Sequence, residues 1–336
     1  MSVGALFLIV VASAVISAGL IVVLLPFLRR HTIAHVNARS SHIEPTPQGG
    51  GAAVMIATLG VAAAALVWLQ PTLTDLRSLA LVLSAAAILA AVGFADDSRD
   101  IGVVPRFVLQ ICAVVMVLAA LPSDLRIVSA LPWWLERALL LLGCLWLVNL
   151  TNFMDGIDWM TVSEVVPVAA ALAVLGFAGA LPAYAVVIAL ALAGAMLGFA
   201  PFNKPVAKLF LGDVGSLPIG LLLGWLLILL AGNGHLAAAL LLPLYYIADA
   251  TITLFRRLIN GERVWEAHRN HFYQRATKGG FKVMEIVTRA FAVNVVLALL
   301  AFATVQWRSS AISVGALVIG AALVGALLMS FSRGKS

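Results

Sequence analysis

Apolar runs of roughly 17–25 residues, the length that crosses a bilayer core as a helix, recur from one end of this chain to the other. Eleven can be drawn, near residues 4–28, 48–69, 76–95, 105–122, 133–151, 161–179, 182–200, 212–231, 235–256, 286–306 and 310–331. In hydrocarbon every backbone N–H and C=O must be satisfied within the segment, so runs of this length fold as helices. The expected fold class is an all-α integral membrane protein of about 11 transmembrane helices. Composition agrees: 63% of residues are hydrophobic and 11% charged, against about a quarter charged in soluble domains. The first run has no basic leader and meets Arg29 and Arg30 without a small-residue cleavage site, so it reads as a retained span.

Lysine and arginine orient the chain. If the connections alternate sides, 17 of the 21 basic residues share one side, leaving Arg77, Arg126, Arg137 and Arg308 on the other. Positive residues mark the cytoplasm, so the N-terminus is expected outside and the C-terminus inside. Cys112 and Cys144 fall within apolar runs, which gives them a packing role and no disulfide or metal framework. The net charge of +6 sits largely on the basic side and offers no support for nucleic acid binding. No internal repeat stands out, which counts against an inverted-repeat transporter. Residues 1–336 are expected to form a single polytopic domain.

The informative polar text lies in five segments of the basic side: "NARSSHIEPTPQGGG" (37–51), "GFADDSRDIGVVPR" (93–106), "NLTNFMDGIDWM" (149–160), "PFNKPVAKLFLGDVGS" (201–216) and "RRLINGERVWEAHRNHFYQRA" (256–276). Six carboxylates, Asp96, Asp97, Asp100, Asp155, Asp158 and Asp213, stand at or beside run ends there. Ionisable groups at membrane depth are costly and are usually functional.

Adjacent Asp96 and Asp97 repel and call for a nearby cation or proton; a solvated helix-capping turn is the plainer reading. Arg106 can reach a phosphate in the headgroup zone or simply snorkel. Asn149, Asn152, Asp155 and Asp158 recur every third residue, a slowly winding polar ridge if helical. Their oxygens suit Mg²⁺ or Mn²⁺, and interhelical hydrogen bonding is the alternative. Asp213 lies between two glycines at the start of a run, where it can hold a metal while the helix N-terminus and Ser216 hold phosphate oxygens; it can equally be an ordinary N-cap. Lys204 and Lys208 precede it. His268, Arg269, His271 and Arg275 form a cationic patch suited to a diphosphate, without the companions of a zinc site. Asp249 has no partner that spacing can name. The prolines and glycines of "PTPQGGG" suit a loop approaching a ligand or a plain turn.

Together these motifs, in this order over residues 37–276, resemble the polyprenyl-phosphate N-acetylhexosamine-1-phosphate transferases of glycosyltransferase family 4. The form "ARSSHxxPTPxGGG" with "HRxHxYQR" is most similar to the O-antigen-initiating branch. The resemblance implies transfer of HexNAc-1-phosphate from a UDP-N-acetylhexosamine to undecaprenyl phosphate, releasing UMP, in the bacterial inner membrane with the site facing the cytoplasm. The expected partners are those two substrates and the lipid bilayer, and a homodimer is compatible. It implies catalytic or charge-bearing roles for Asp96, Asp97, Asp155 and Asp158, and Mg²⁺ (Mn²⁺ in its place) on Asn152 and Asp213. Arg106 would bind the lipid phosphate. His268, Arg269 and His271 would meet diphosphate and sugar, and Asn149, Lys208 and Ser216 complete the expected substrate-binding set. Direct attack and a covalent route through Asp97 both stay open. A lipid or solute transporter or flippase is the alternative from another class. Two departures stand out: Trp159 where relatives often have glycine, and Gln48 in place of a common basic residue.

Overall fold

The computed structural model describes residues 2–34, 46–69, 72–99, 101–263 and 268–335. Residues 37–45 of the first motif, Asp100, and 264–267 of the last lie outside them. The described chain is all-α apart from one antiparallel pairing. In order come α1 (Val3–His31), β1 (Ile33–Ala34), β2 (Thr46–Pro47), α2 (Gly51–Leu69), α3 (Leu73–Arg99), α4 (Val103–Ala119), α5 (Trp133–Met154), α6 (Met160–Phe177), α7 (Ala183–Asn203), α8 (Asp213–Gly232), α9 (Leu236–Leu241), α10 (Leu244–Ile259), α11 (Phe272–Lys278), α12 (Val283–Trp307) and α13 (Ser310–Arg333). β1 and β2 pair Ile33 with Pro47 and Ala34 with Thr46.

Eight of these helices are long and apolar enough to cross a membrane, and two shorter apolar helices cover Gly51–Val67 and Val103–Ala119. The chain is a multi-pass membrane protein. The run expected at 235–256 departs from the sequence reading, because it is two helices, α9 and α10. The break falls at Leu242 and Pro243; proline lacks the N–H that would continue the ladder and its ring crowds the preceding turn.

The core is organised about α8. Its sequence is apolar all round, and a helix without a polar face has to be enclosed. Every residue from Val214 to Ala231 is buried, with α3 and α5 packed along it and α2 beside them. A Cβ at Gly220 would lie 2.8 Å from Leu147 O, so the missing side chain is what lets α5 come this close. This packing brings the C-terminal ends of α3 and α5 and the starts of α4 and α8 to one place.

Candidate active site

Asp213 opens α8 and sits at the centre of a polar cluster drawn from four helices. Arg106, from the first turn of α4, places Nη1 2.7 Å from Asp96 Oδ2 and 3.1 Å from Asp213 Oδ2. Asn152 of α5 donates Nδ2–H to the other Asp213 oxygen at 2.6 Å and to Ser216 Oγ at 2.9 Å. Ser216 is fully buried, one turn below Asp213, and serves as the rest for Asn152.

Asp97 has a different task from Asp96. The N–H groups of Asp213 and Val214 donate to its two oxygens at 3.0 and 3.2 Å. It therefore caps α8 from another helix, satisfying N–H groups that a helix start leaves open at its positive dipole end. Gly212 has φ +77, and a Cβ there would stand 2.5 Å from Asp97 Oδ2, so glycine is required by both conformation and space. Asp96 instead accepts the Ile101 N–H at 2.8 Å and faces Arg106.

The "PTPQGGG" motif docks on the same corner. The Gly50 and Gly51 N–H groups donate to Phe210 O and Leu211 O, which fixes the segment leading into α8. Gln48, the departure from the basic residue, donates Nε2–H to Asp97 O at 2.9 Å. Its backbone is tied to Thr32, whose hydroxyl donates to Gln48 O at 2.6 Å. Gln48 thus splices the α1–α2 connection to the end of α3 that carries both aspartates.

Beyond α5 the chain turns through Asp155, Gly156, Ile157 and Asp158. Asp155 accepts the Thr161 hydroxyl. Burial pushes its carboxyl up to about 7, against that hydrogen bond and with Asp213 and Asp158 adding to the rise. A cation brought here would return it toward the charged form. Asp158 is buried, and its Oδ2 accepts the Ala207 N–H at 3.0 Å, which anchors the 204–212 segment. Lys208 lies exposed on that segment.

Asn149 stands apart from the Asp213 cluster. It donates to Gln110 of α4 at 2.9 Å and to Leu145 O at 2.8 Å, so both amide hydrogens are used in joining α4 to α5.

Trp159 has φ 60 and ψ 2, a left-handed conformation that glycine adopts freely and a bulky residue adopts at a cost. Its N–H donates to Asn203 Oδ1 at 2.8 Å, and its indole Nε1–H to Ala200 O at 2.6 Å. The ring is a clasp onto the end of α7. Replacing it by glycine releases ~1–2 kcal/mol of backbone strain. It also gives up a half-buried aromatic, roughly half of the ~3–5 kcal/mol for a full one, and a hydrogen bond of about 1 kcal/mol. Trp159→Gly is expected to lower the thermal midpoint in detergent by a few degrees; a raised midpoint would show that strain outweighs the clasp.

The last loop contributes from α10 and α11. His268 stacks on His271 with ring centres 4.8 Å apart, and His271 on Tyr273 at 5.8 Å. Arg269 has Nε and Nη2 buried with no hydrogen-bond partner among the described residues. Buried N–H groups of a cation are costly to leave unmade, and an anion would satisfy them. Tyr273 donates its hydroxyl to Phe153 O at 3.0 Å, which brings α11 against the end of α5. Gln48 and Asp249 both stand out in the sequence, the one as a departure and the other as a carboxylate in apolar text, but their partners, Asp97 O and the Phe272 and Tyr273 N–H groups, leave no signal in spacing.

The family model for glycosyl transferase family 4 matches residues 79–231, the stretch from α3 to α8. The phospho-N-acetylmuramoyl-pentapeptide-transferase of Gluconobacter oxydans is 30% identical over 78% of this chain and 80% of its own. The decaprenyl-phosphate N-acetylglucosaminephosphotransferase of Mycobacterium leprae is 29% identical over 87% of this chain and 82% of its own. Its counterpart from Mycolicibacterium smegmatis is 33% identical over 59% of this chain, a match that spans about half, 53%, of that relative's length. The chain belongs to this family, the polyprenyl-phosphate N-acetylhexosamine-1-phosphate transferase superfamily.

Proposed function

We propose that this protein transfers HexNAc-1-phosphate from a UDP-N-acetylhexosamine to undecaprenyl phosphate, releasing UMP, at the cytoplasmic face of a bacterial inner membrane. The motif forms at 37–51 and 268–275 favour a role in starting O-antigen or a related surface polysaccharide. The observation that carries the reading is the Arg106 bridge between Asp96 and Asp213, with Asn152 on the other Asp213 oxygen. It is a mixed-charge centre at the meeting point of four helices, suited to two phosphorylated reactants.

An oxygen of the lipid phosphate attacks the sugar-linked phosphorus, and the bond to the UMP oxygen breaks with its electron pair. Both reactants are anions, so the site must offset their repulsion. Arg106 supplies positive charge beside Asp96 and Asp213, and Arg269 offers Nε and Nη2 groups with no hydrogen-bond partner among the described residues. Asp97 has both oxygens engaged by the α8 N-terminus. That favours direct attack over a covalent intermediate on Asp97, with Asp97 holding Asp213 in place.

Mg²⁺ fits the donor set. The available groups are hard oxygens, and Mg²⁺ characteristically takes one or two carboxylates together with substrate phosphates, without an all-protein cage. Asp213 and Asn152 would hold it, Asn152 by its amide oxygen, and it would neutralise phosphate charge when bound.

Radiolabelled UDP-HexNAc incubated with undecaprenyl phosphate and Mg²⁺ is expected to yield labelled lipid and UMP. UMP added to the lipid product should regenerate UDP-sugar, since one diphosphate is exchanged for another. No UMP with any UDP-HexNAc would overturn the proposal in favour of a transporter or scaffold. UMP–UDP-sugar exchange without lipid would restore the covalent route.

A further inference from the structure

Asp249 is a fully buried carboxylate in α10, inside an apolar bundle, and the transfer reaction above makes no use of it. A charge at that depth is held only if its surroundings compensate it. The Phe272 and Tyr273 N–H groups donate to it at 2.9 and 3.2 Å, and His271 Nδ1 lies 3.3 Å from Oδ1. The Thr253 hydroxyl is at 3.5 Å. All three loop contacts belong to consecutive residues, so one carboxylate fixes the backbone start of α11 and the ring that precedes it.

From there the connections run toward the site. Tyr273, whose N–H Asp249 holds, donates its hydroxyl to Phe153 O at the end of α5. Phe153 lies against His271 with ring centres 6.5 Å apart, and His271 carries the stacked His268. Arg256, also on α10, sets its guanidinium 4.7 Å over the Phe272 ring.

We infer that Asp249 is a positioning residue for the donor substrate: it holds His271 protonated at Nδ1, leaving Nε2 as the nitrogen for a phosphate or sugar oxygen. Which ring nitrogen serves a ligand is set by the hydrogen bond at the other, and a carboxylate behind a histidine is the usual means of fixing that choice. The inference rests on the reading that the His268–His271 segment meets the nucleotide sugar.

Asp249→Asn keeps an oxygen for one backbone N–H but cannot accept all three donors. It is expected to raise KM for the UDP-sugar by about tenfold, as loss of an orienting carboxylate does elsewhere. KM for undecaprenyl phosphate should stay within about twofold. In a His271→Ala background the same change should add nothing, because interacting residues are non-additive. An unchanged donor KM, or full additivity, would reduce Asp249 to a helix cap and overturn the inference. ¹⁵N shifts of His271 in the full-length protein read the tautomer without substrate. Nδ1–H in the wild type and its loss in Asp249→Asn are expected, and an Nε2–H wild type would overturn the inference. That measurement stands even if no UDP-HexNAc is turned over, an outcome that would sink the proposed function instead.

Discussion

Asp213→Asn is expected to lower turnover by about a thousandfold or more, the scale on which charge-stabilising groups act in a desolvated site, while the bundle stays folded. The two halves of that expectation have separate causes. The carboxylate accepts from Arg106 on one oxygen and Asn152 on the other. An amide offers one oxygen and one NH₂, so one of those donors would face another donor. It also removes the negative charge suited to a metal. The fold does not depend on that side chain: Asp97 caps α8 through the backbone N–H of residue 213, and the helix is held by burial from Val214 to Ala231. UMP release by the purified variant, beside its thermal midpoint, checks both. Near-normal turnover would remove Asp213 from the chemistry, and a collapsed midpoint would show that its charge serves the fold.

Most of the architecture was legible because membrane helices announce themselves by length and apolarity. The ninth run was misread as continuous, since hydropathy sees apolar residues on both sides of Pro243 and is blind to a missing N–H. The cluster of Asp96, Arg106, Asn152, Asp213 and Ser216 was legible as a set of candidates because polar groups cost so much in this setting, whereas Asn149 joins α4 to α5 apart from it. Their division of labour was not. Asp96 and Asp97 are neighbours in a pair, yet one meets Arg106 and the other caps a helix 116 residues further on. Only the approach of α8 to α3 decides which does which. Asp249 is 22 residues from His271, a separation that matches no helical or strand period and so leaves no spacing signal. Trp159 was legible as a departure. The reason, a left-handed residue clasped to α7, needed the backbone angle and the Ala200 and Asn203 partners.

Arg106→Gln is expected to cost about a hundredfold to a thousandfold in kcat/KM, second to Asp213→Asn. Nη1 alone serves both Asp96 and Asp213, and Nε and Nη2 make no hydrogen bond among the described residues. The guanidinium thus holds two carboxylates with one nitrogen, and under the proposed function its remaining N–H groups would meet the lipid phosphate, a division its fork geometry allows. Glutamine loses the charge and leaves Asp96 and Asp213 uncompensated. These side chains are 10–24% exposed, so solvent and salt will soften the effect on stability more than the effect on rate. Arg106→Lys separates the two functions. An ammonium can still sit between the carboxylates as a point charge, so the thermal midpoint should stay near wild type. It has no second nitrogen for the phosphate, so KM for undecaprenyl phosphate should rise by about tenfold while KM for the UDP-sugar moves little. Initial rates of UMP release at varied lipid and donor concentrations distinguish the cases. If Arg106→Gln keeps activity within about threefold of wild type, Arg106 is an interfacial anchor and the phosphate must be met elsewhere.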